Sequence, residues 1–287
     1  MSESKRVAVV TGASRGAGRG IAVALGEAGY VVYVTGRTEV EGGAPLPGTI
    51  YETADAVTKA GGQGVPVRVD HGNDDEIKAL FDKVQAEQGR LDILVNNVAH
   101  IDDTLIEKGG FWEKPLSQAN ILNVGLRSQY VASWYAAPVM VKQNKGLIVF
   151  TSSFGSVCYM HGAAYGAQKA GVDKFAADMA VDFKEHNVAT VSIWMGMLLT
   201  ERSKKAIKEH PEIYGQLAEM AETPEYTGHI IAKMADDPDI MSLSGQTVIG
   251  AEIAPDRYGL TDAGGKKPIS HRPFLGDPRV AHPAVIR

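Results

Sequence analysis

The 287-residue chain contains a single cysteine, Cys158. That rules out a disulfide framework and a cysteine-built zinc site, and it fits a reducing, cytoplasmic setting. The eight histidines show no H-x-x-x-H or Cys/His ligand spacing, so no metal is assigned. No run reaches the roughly 20 apolar residues that a bilayer-crossing helix needs. The start, MSESKRVAVV, lacks the apolar stretch and cleavage site of a leader, so no membrane partner is expected. Positive charge is not in excess either: 29 Lys and Arg face 34 Asp and Glu, a formal net charge of -5. The basic residues are scattered, which argues against a nucleic-acid surface. Repeats and low-complexity linkers are missing too. With 44% hydrophobic and 22% charged residues, the chain reads as one folded domain over residues 1–287.

What is present is a series of short apolar runs rich in valine and isoleucine, at residues 7–11, 30–35, 65–69, 91–96, 147–152, 188–194 and 246–249. They do not alternate as a half-wet sheet does. Such runs, separated by helical stretches, predict parallel strands covered by helices on both faces, an α/β doubly wound architecture. Asn73 with Glu76 reads as a capping box, and Thr223 followed by Pro224 as a helix start. Residues 41–49, EGGAPLPGT, form the clearest loop. From about residue 252 the chain reads as an irregular C-terminal extension lying over this or a neighbouring subunit.

The stretch VVTGASRGAGRG places glycines at 12, 16 and 18, after a valine-rich strand and before the helical run GIAVALGEAG. The backbone N–H groups of such a turn and the helix dipole behind it suit a phosphate. At the end of the second strand, where an acidic residue would hold a free ribose 2'-hydroxyl, the chain has Gly36, Arg37 and Thr38. Arg15 and Arg37 suit the 2'-phosphate that distinguishes NADP from NAD, because guanidiniums bind phosphate by charge-assisted hydrogen bonds. Arg19 reads as solvated.

A second signal is YGAQK, with Tyr165 and Lys169 one helical turn apart on one face. A nearby cation favours the phenolate, which makes Tyr165 a candidate acid/base. Ser152 stands thirteen residues upstream, at the end of a strand, where its hydroxyl can bind a carbonyl.

The motifs TGASRGAG, LDILVNNVA and YGAQK, with Ser152 and the spacing among them, resemble the short-chain dehydrogenase/reductase family over roughly residues 5–250. The resemblance implies a Rossmann-like sheet of seven parallel strands. It also implies roles: Tyr165 as general acid in reduction, Lys169 on the nicotinamide ribose while lowering the phenol pKa, and Ser152 polarising the carbonyl. Asn123 matches the asparagine that kinks a helix and holds a relay water, with Asn120 as the alternative. Asp70, with His71 beside it, matches the adenine-contacting acid; Asn97 matches the second asparagine after strand four, and Thr200 a threonine near the nicotinamide amide. The cofactor set is then Gly12, Ser14, Arg15, Gly16, Ala17, Gly18, Arg37, Asp70, His71, Asn97, Tyr165, Lys169 and Thr200. Dimers or tetramers are expected on the same ground. Val98 and Ala99, and Met195 in place of a proline, depart from the family pattern and imply added bulk beside the ribose and a looser turn after strand six. NVGLRSQY, LSGQ and RYGL further resemble a dehydrogenase/reductase member 1-like subgroup, for which apolar ketones are the expected substrates. The stretch between Ser152 and Tyr165 and that after strand six, with Phe154, Cys158, Tyr159, Met160, His161, Met197 and Leu198, are the candidate pocket lining, and ERSKKAIKEHPE is a candidate solvated helix over it. The expected function is an NADP(H)-dependent oxidoreductase acting on a small carbonyl or alcohol, NAD being the less favoured cofactor. The alternative is a regulatory protein of the same fold that senses NADP without turnover.

Overall fold

The computed structural model describes residues 5–286; residues 1–4, part of the start read above, lie outside the described residues, as does residue 287. Seven strands form one parallel sheet in the order β3-β2-β1-β4-β5-β6-β7. They are β1 Val7–Val10, β2 Val31–Gly36, β3 Gln63–Arg68, β4 Ile93–Asn96, β5 Gly146–Ser152, β6 Val188–Trp194 and β7 Thr247–Ile249. Every residue of β1, β2, β4 and β6 is buried, as unbroken apolar runs require when helices cover both faces. All seven expected strands are found, with ends shifted by up to two residues.

Helices α1 Gly16–Glu27, α2 Ile50–Lys59, α3 Asp74–Gln88 and α4 Asn120–Leu122 come in the first half of the chain. A π-helical turn, Asn123–Arg127, separates α4 from α5 Ser128–Gln143. Then follow α6 Ala163–Phe183, α7 Glu201–Glu209, α8 Pro211–Met220, α9 Pro224–Asp236, α10 Gly250–Tyr258 and α11 Arg272–Leu275. One core joins Val10, Leu25, Ile50 and Ile230 between the sheet and the layer of α1, α2 and α9. The other joins Tyr33, Leu80, Met140 and Val172 beneath α3, α5 and α6.

Pro224 opens α9 as expected, and Asn73 accepts from the amides of Asp75 and Glu76 at the start of α3. The capping box there is only half formed. Glu76 turns to the Asp70 amide at 2.8 Å and to Arg68 at 2.9 Å instead of back to Asn73 N. The complete box is at Thr49 and Glu52, at the end of the glycine- and proline-rich loop.

The tail expected to be irregular from about residue 252 is helical as α10 as far as Tyr258 and largely irregular beyond it apart from α11, and it folds back on its own domain. Arg272 pairs with Glu252 at 2.6 Å, and Leu275 packs on a small cluster of Phe154, Trp194 and Ile249. Thus an acid in α10 and an arginine twenty residues later tie down a segment whose local sequence looks featureless.

Gly20 fixes how closely α9 approaches α1: a Cβ there would lie 2.3 Å from the carbonyl carbon of Pro224 and 2.4 Å from its Cβ. Both neighbours belong to a proline at a helix start, so neither can move aside cheaply. Gly20→Ala is expected to destabilise the protein by about 1–3 kcal/mol despite alanine's better helix propensity. Urea unfolding at constant m-value measures it, and an unchanged midpoint would refute this packing argument.

Candidate active site

The strand order reverses between β1 and β4. At the C-terminal ends of the strands there is a cavity of about 690 Å³, a size suited to a small molecule or cofactor. The glycine turn forms one wall. Gly12 takes φ +66°, and a Cβ on it would lie 2.7 Å from Val98 Cα; one on Gly18 would lie 2.3 Å from the Gly12 carbonyl oxygen and 2.6 Å from the Asn97 amide nitrogen. Only glycine fits this cradle. Thr11, which the motif reading passed over, ties the turn to β4. Its hydroxyl oxygen accepts from the amides of Asn97 (2.9 Å) and Val98 (3.0 Å) while donating to the Val95 carbonyl (3.1 Å). The Asn97 side chain donates to the carbonyls of Thr11 and Gly12, at 2.9 and 3.1 Å. Asn97 therefore lines the cleft chiefly as the residue that holds the turn in shape.

Ser14, Gly16, Ala17 and Thr200 line the same cleft, as do Arg15 and Arg37. The two arginines are not equivalent. Arg15 donates from Nε to the Pro47 carbonyl at 3.0 Å, and from Nη2 to the Gly48 carbonyl at 2.7 Å and Thr38 Oγ1 at 3.0 Å. It clamps the 41–49 loop over the cleft, a commitment no spacing rule reveals. Arg37 is largely exposed, and its Nη1 is 3.7 Å from Asp70 Oδ2. Asp70 also accepts from the Gly72 amide at 2.8 Å. His71 is buried and shares a hydrogen with Thr35 Oγ1 at 2.8 Å; burial pushes its imidazole down to about 4, so it stays neutral.

At the opposite end, Tyr165 and Lys169 both line the cleft. The Tyr165 hydroxyl is 3.0 Å from the Ser153 hydroxyl. Ser152 is fully buried and donates to the Lys169 carbonyl at 3.3 Å. The expectation for Ser152 is thus corrected: Ser153 is the serine at the phenol. Neighbouring residues at a strand end point to opposite sides, so counting thirteen positions back from the tyrosine selects the neighbour that faces away from it.

Lys169 Nζ donates to the Thr151 carbonyl at 3.2 Å and lies 5.5 Å from the Tyr165 ring centroid. Burial pushes its ammonium down to about 8, against the opposing field of Asp173 one turn further along α6. The expected lowering of the phenol pKa is not found. Burial holds the Tyr165 hydroxyl above its ordinary value, with the Ser153 hydrogen bond acting in the opposite sense. The lysine sits over the ring face, and the phenol is buried, so desolvation of the phenolate wins.

Asn123 is also corrected. It opens the π turn, so the expected irregularity is in the expected place, but its side chain is exposed and absent from the cleft lining. Asn120 is exposed too. The amide that reaches the bulge is Gln168, fully buried beside Lys169, whose Nε2 donates to the Gly125 carbonyl at 2.9 Å and which lines the cleft. The extra residue in a π turn rotates the neighbouring side chains, which no motif registers.

Among the proposed pocket residues, Phe154 and Leu198 are buried, whereas Tyr159 is exposed. His161, at φ +59°, packs edge-on against Tyr165 with centroids 5.0 Å apart, and with Leu105, Lys114 and Tyr159 it lines a side cavity of about 270 Å³. Leu105 lines both cavities. Among the described residues no cluster of His, Cys, Asp or Glu could hold a metal, and no helix is long and apolar enough to cross a membrane.

A glycine cradle at a helix start, cations at one end and a buried Tyr/Lys pair at the other fit a dinucleotide lying across the switch point. Comparison with known proteins agrees. The profile of the family described as short chain dehydrogenase matches residues 6–211. The chain belongs to the short-chain dehydrogenase/reductase family. Its members are oxidoreductases that use nicotinamide cofactors. The chain is 42% identical over 272 residues to human dehydrogenase/reductase SDR family member 1, covering 91% of this chain and 84% of that protein, and 41% identical to its mouse counterpart over the same span. It is 27% identical over 245 residues to a 3-oxoacyl-[acyl-carrier-protein] reductase of Synechocystis, covering 84% of this chain and 94% of that one. A short-chain type dehydrogenase/reductase from Mycobacterium marinum shares the fold at TM-score 0.72 and 23% identity, over 86% of this chain and 94% of the other.

In this short-chain dehydrogenase/reductase the segment after β6 is held at its root by Glu222. The Glu222 amide donates to the Met197 carbonyl at 2.7 Å, the Leu199 amide to the Glu222 carbonyl at 2.9 Å, and the Gly196 amide to Glu222 Oε1 at 3.3 Å. The looser turn expected from Met195 is not what forms, because the Met195 amide donates to the Ser152 carbonyl at 3.2 Å. Glu222 Oε2 and the Tyr226 hydroxyl are both buried without a hydrogen-bond partner among the described residues.

Burial pushes the Glu222 carboxyl up to about 7, and Asp262 adds to the rise while Lys266 and the Gly196 amide oppose it. Between the ordinary carboxylate pKa and 7 the folded protein keeps a proton that the unfolded chain has lost. Stability therefore falls as pH rises through that window. The shift corresponds to about 3 kcal/mol. Glu222→Gln should remove most of this loss, so that the variant gains on the wild type from pH 5 to pH 7.5. Parallel denaturation curves at those pH values measure it, and a constant difference between the two proteins would contradict a proton held in the folded state.

Proposed function

We propose that this protein is an NADP(H)-dependent oxidoreductase that interconverts a carbonyl and a secondary alcohol on an apolar small molecule, with Tyr165 as the proton donor in reduction. The observation that carries the reading is the Tyr165 hydroxyl, bonded to Ser153 above a buried Lys169, at the end of a cleft whose other end carries the glycine turn and Arg37. When bound, nicotinamide would supply or accept the hydride.

The chain's own groups have separable tasks. Ser153 donates to, and so polarises, the carbonyl oxygen, while the elevated phenol pKa keeps the Tyr165 proton in place until negative charge develops on that oxygen. Lys169 would hold the ribose hydroxyls nearest the phenol. Gln168 supports the π turn beside Lys169, at the place where the resemblance expected Asn123 to kink the helix and hold a relay water. Val98, Ile101, Leu105 and Met195 supply apolar lining, which favours an apolar carbonyl compound. Retention of both Tyr165 and Lys169 favours turnover over a purely sensing role.

Tyr165→Phe should lower kcat at least 1000-fold while NADPH binding, read by nicotinamide fluorescence, changes less than about threefold. Ser153→Ala should cost about 100-fold in kcat/KM and Ser152→Ala less than about fivefold. Full activity in Tyr165→Phe against a panel of ketones would dismiss the mechanism, and the reverse order of the serine effects would restore Ser152.

Arg37 is the guanidinium left to meet a 2'-phosphate, since most of Arg15 is committed to the loop. Arg37→Asp should shift the NADPH/NADH ratio of kcat/KM toward NADH by about 100-fold. An unchanged ratio would remove the basis for NADP preference.

A further inference from the structure

Helix α1 begins without a cap of its own. Arg15, in the N-cap position, makes no side-chain cap, and the first turn holds no acidic residue. Its leading amides are therefore open donors at the positive end of a helix dipole. One of them is taken. Gly16 N donates to Glu201 Oε2 at 2.9 Å, across 185 positions of sequence.

Glu201 is the first residue of α7, and the preceding Thr200 accepts from the Ser203 amide at 3.2 Å, which sets the helix start against the glycine turn. A Cβ on Gly16 would lie 3.7 Å from Thr200 Cγ2, ordinary contact distance. Among the described residues Glu201 forms no ion pair within 4 Å, so a salt bridge does not explain its position. It is half-buried and lines the cleft together with Thr200 and Arg202.

We propose that Glu201 is a built-in competitor for the diphosphate of the dinucleotide: its carboxylate occupies the anion seat at the start of α1 and latches the α7–α8 segment shut until the cofactor displaces it. The inference rests on the dinucleotide reading above and adds a residue that sets affinity. One N–H cannot serve a carboxylate and a phosphate oxygen together. Cofactor binding therefore has to break the latch, and part of its intrinsic affinity is lost in doing so. The segment released is the one that follows β6 beside the cleft, so a single carboxylate couples cofactor arrival to movement of the wall next to the substrate.

The test uses the full-length protein and its Glu201→Ala and Glu201→Gln variants. NADPH should bind Glu201→Ala about 10-fold more tightly than wild type, with Glu201→Gln in between, because a neutral amide oxygen still accepts from Gly16 N but more weakly. ADP, which carries a diphosphate, should gain similarly, whereas adenosine 2'-monophosphate, which lacks one, should change less than twofold. Without cofactor, trypsin should cut at Lys204, Lys205 and Lys208 several-fold faster in Glu201→Ala than in wild type; saturating NADPH should abolish the difference. Equal gains for ADP and adenosine 2'-monophosphate would replace competition with a diffuse charge effect and overturn the proposal. So would unchanged affinity together with unchanged cleavage. If wild type binds no dinucleotide, the cofactor reading fails and the cleavage rates alone decide the latch: faster cutting upholds a closed segment, equal cutting rejects it.

Discussion

The site is organised around an ammonium that has been taken out of water without a carboxylate in contact. Lys169 is buried, and among the described residues its ammonium donates to the Thr151 carbonyl alone. Such a group costs several kcal/mol if nothing compensates it. Compensation comes from the fold. Thr151 belongs to β5, the Tyr165 ring face lies 5.5 Å away, and Asp173 contributes a fixed negative field from one turn along α6. Asp173 is itself immobilised by Ser192 Oγ at 2.6 Å and Trp194 Nε1 at 2.9 Å, both on β6. Two strands and a helix thus hold one cation at the wall of the cleft. This is stability given up for preorganised electrostatics.

The same economy governs the other end of the cleft, where the unpaired groups are donors. The start of α1 has several open N–H groups and no residue of its own to satisfy them. Glu201 satisfies one from outside the helix. A lysine with no carboxylate in ion-pair contact among the described residues and a helix start without a side-chain cap of its own both line one cavity. The proposed dinucleotide, with hydroxyls at one end and phosphates further along, would satisfy both although they lie on α6 and α1.

Most of this architecture is legible in the residues, because it depends on period and composition. The strands are visible as unbroken apolar runs, the cradle as glycines 12, 16 and 18, and the Tyr/Lys pair as a helical i, i+4 spacing. What escapes is anything decided by one residue of register or by a distant partner. Ser152 and Ser153 have the same chemistry and differ only in which side of the strand end they occupy. Asn123 is displaced from the cleft by a π turn that no hydrophobic pattern encodes, and Gln168 becomes visible only when Gly125 is seen against it. Arg15 looks like a phosphate ligand until the carbonyls of Pro47 and Gly48 are found on its guanidinium. The anchoring of the tail is hidden because Arg272 and Glu252 meet only through tertiary structure.

Met195 shows how a departure from a family pattern acts opposite to first expectation. Proline rigidifies a turn by fixing φ, so replacing it suggests a looser chain. Proline also lacks an N–H. With methionine at the position, the amide extends the β5–β6 pairing by one further bond, to the carbonyl of Ser152, at the residue just before the serine that meets Tyr165. The next residue, Gly196, then brings its amide to Glu222, and a Cβ there would lie 2.6 Å from Glu222 Oε1. A bulkier residue at 196 would push the buried carboxyl away and free the root of the segment that carries Glu201. The turn exchanges intrinsic stiffness for hydrogen bonds to two separate elements, so the positions of Ser153 and of the α7 latch are both set by this short stretch of backbone.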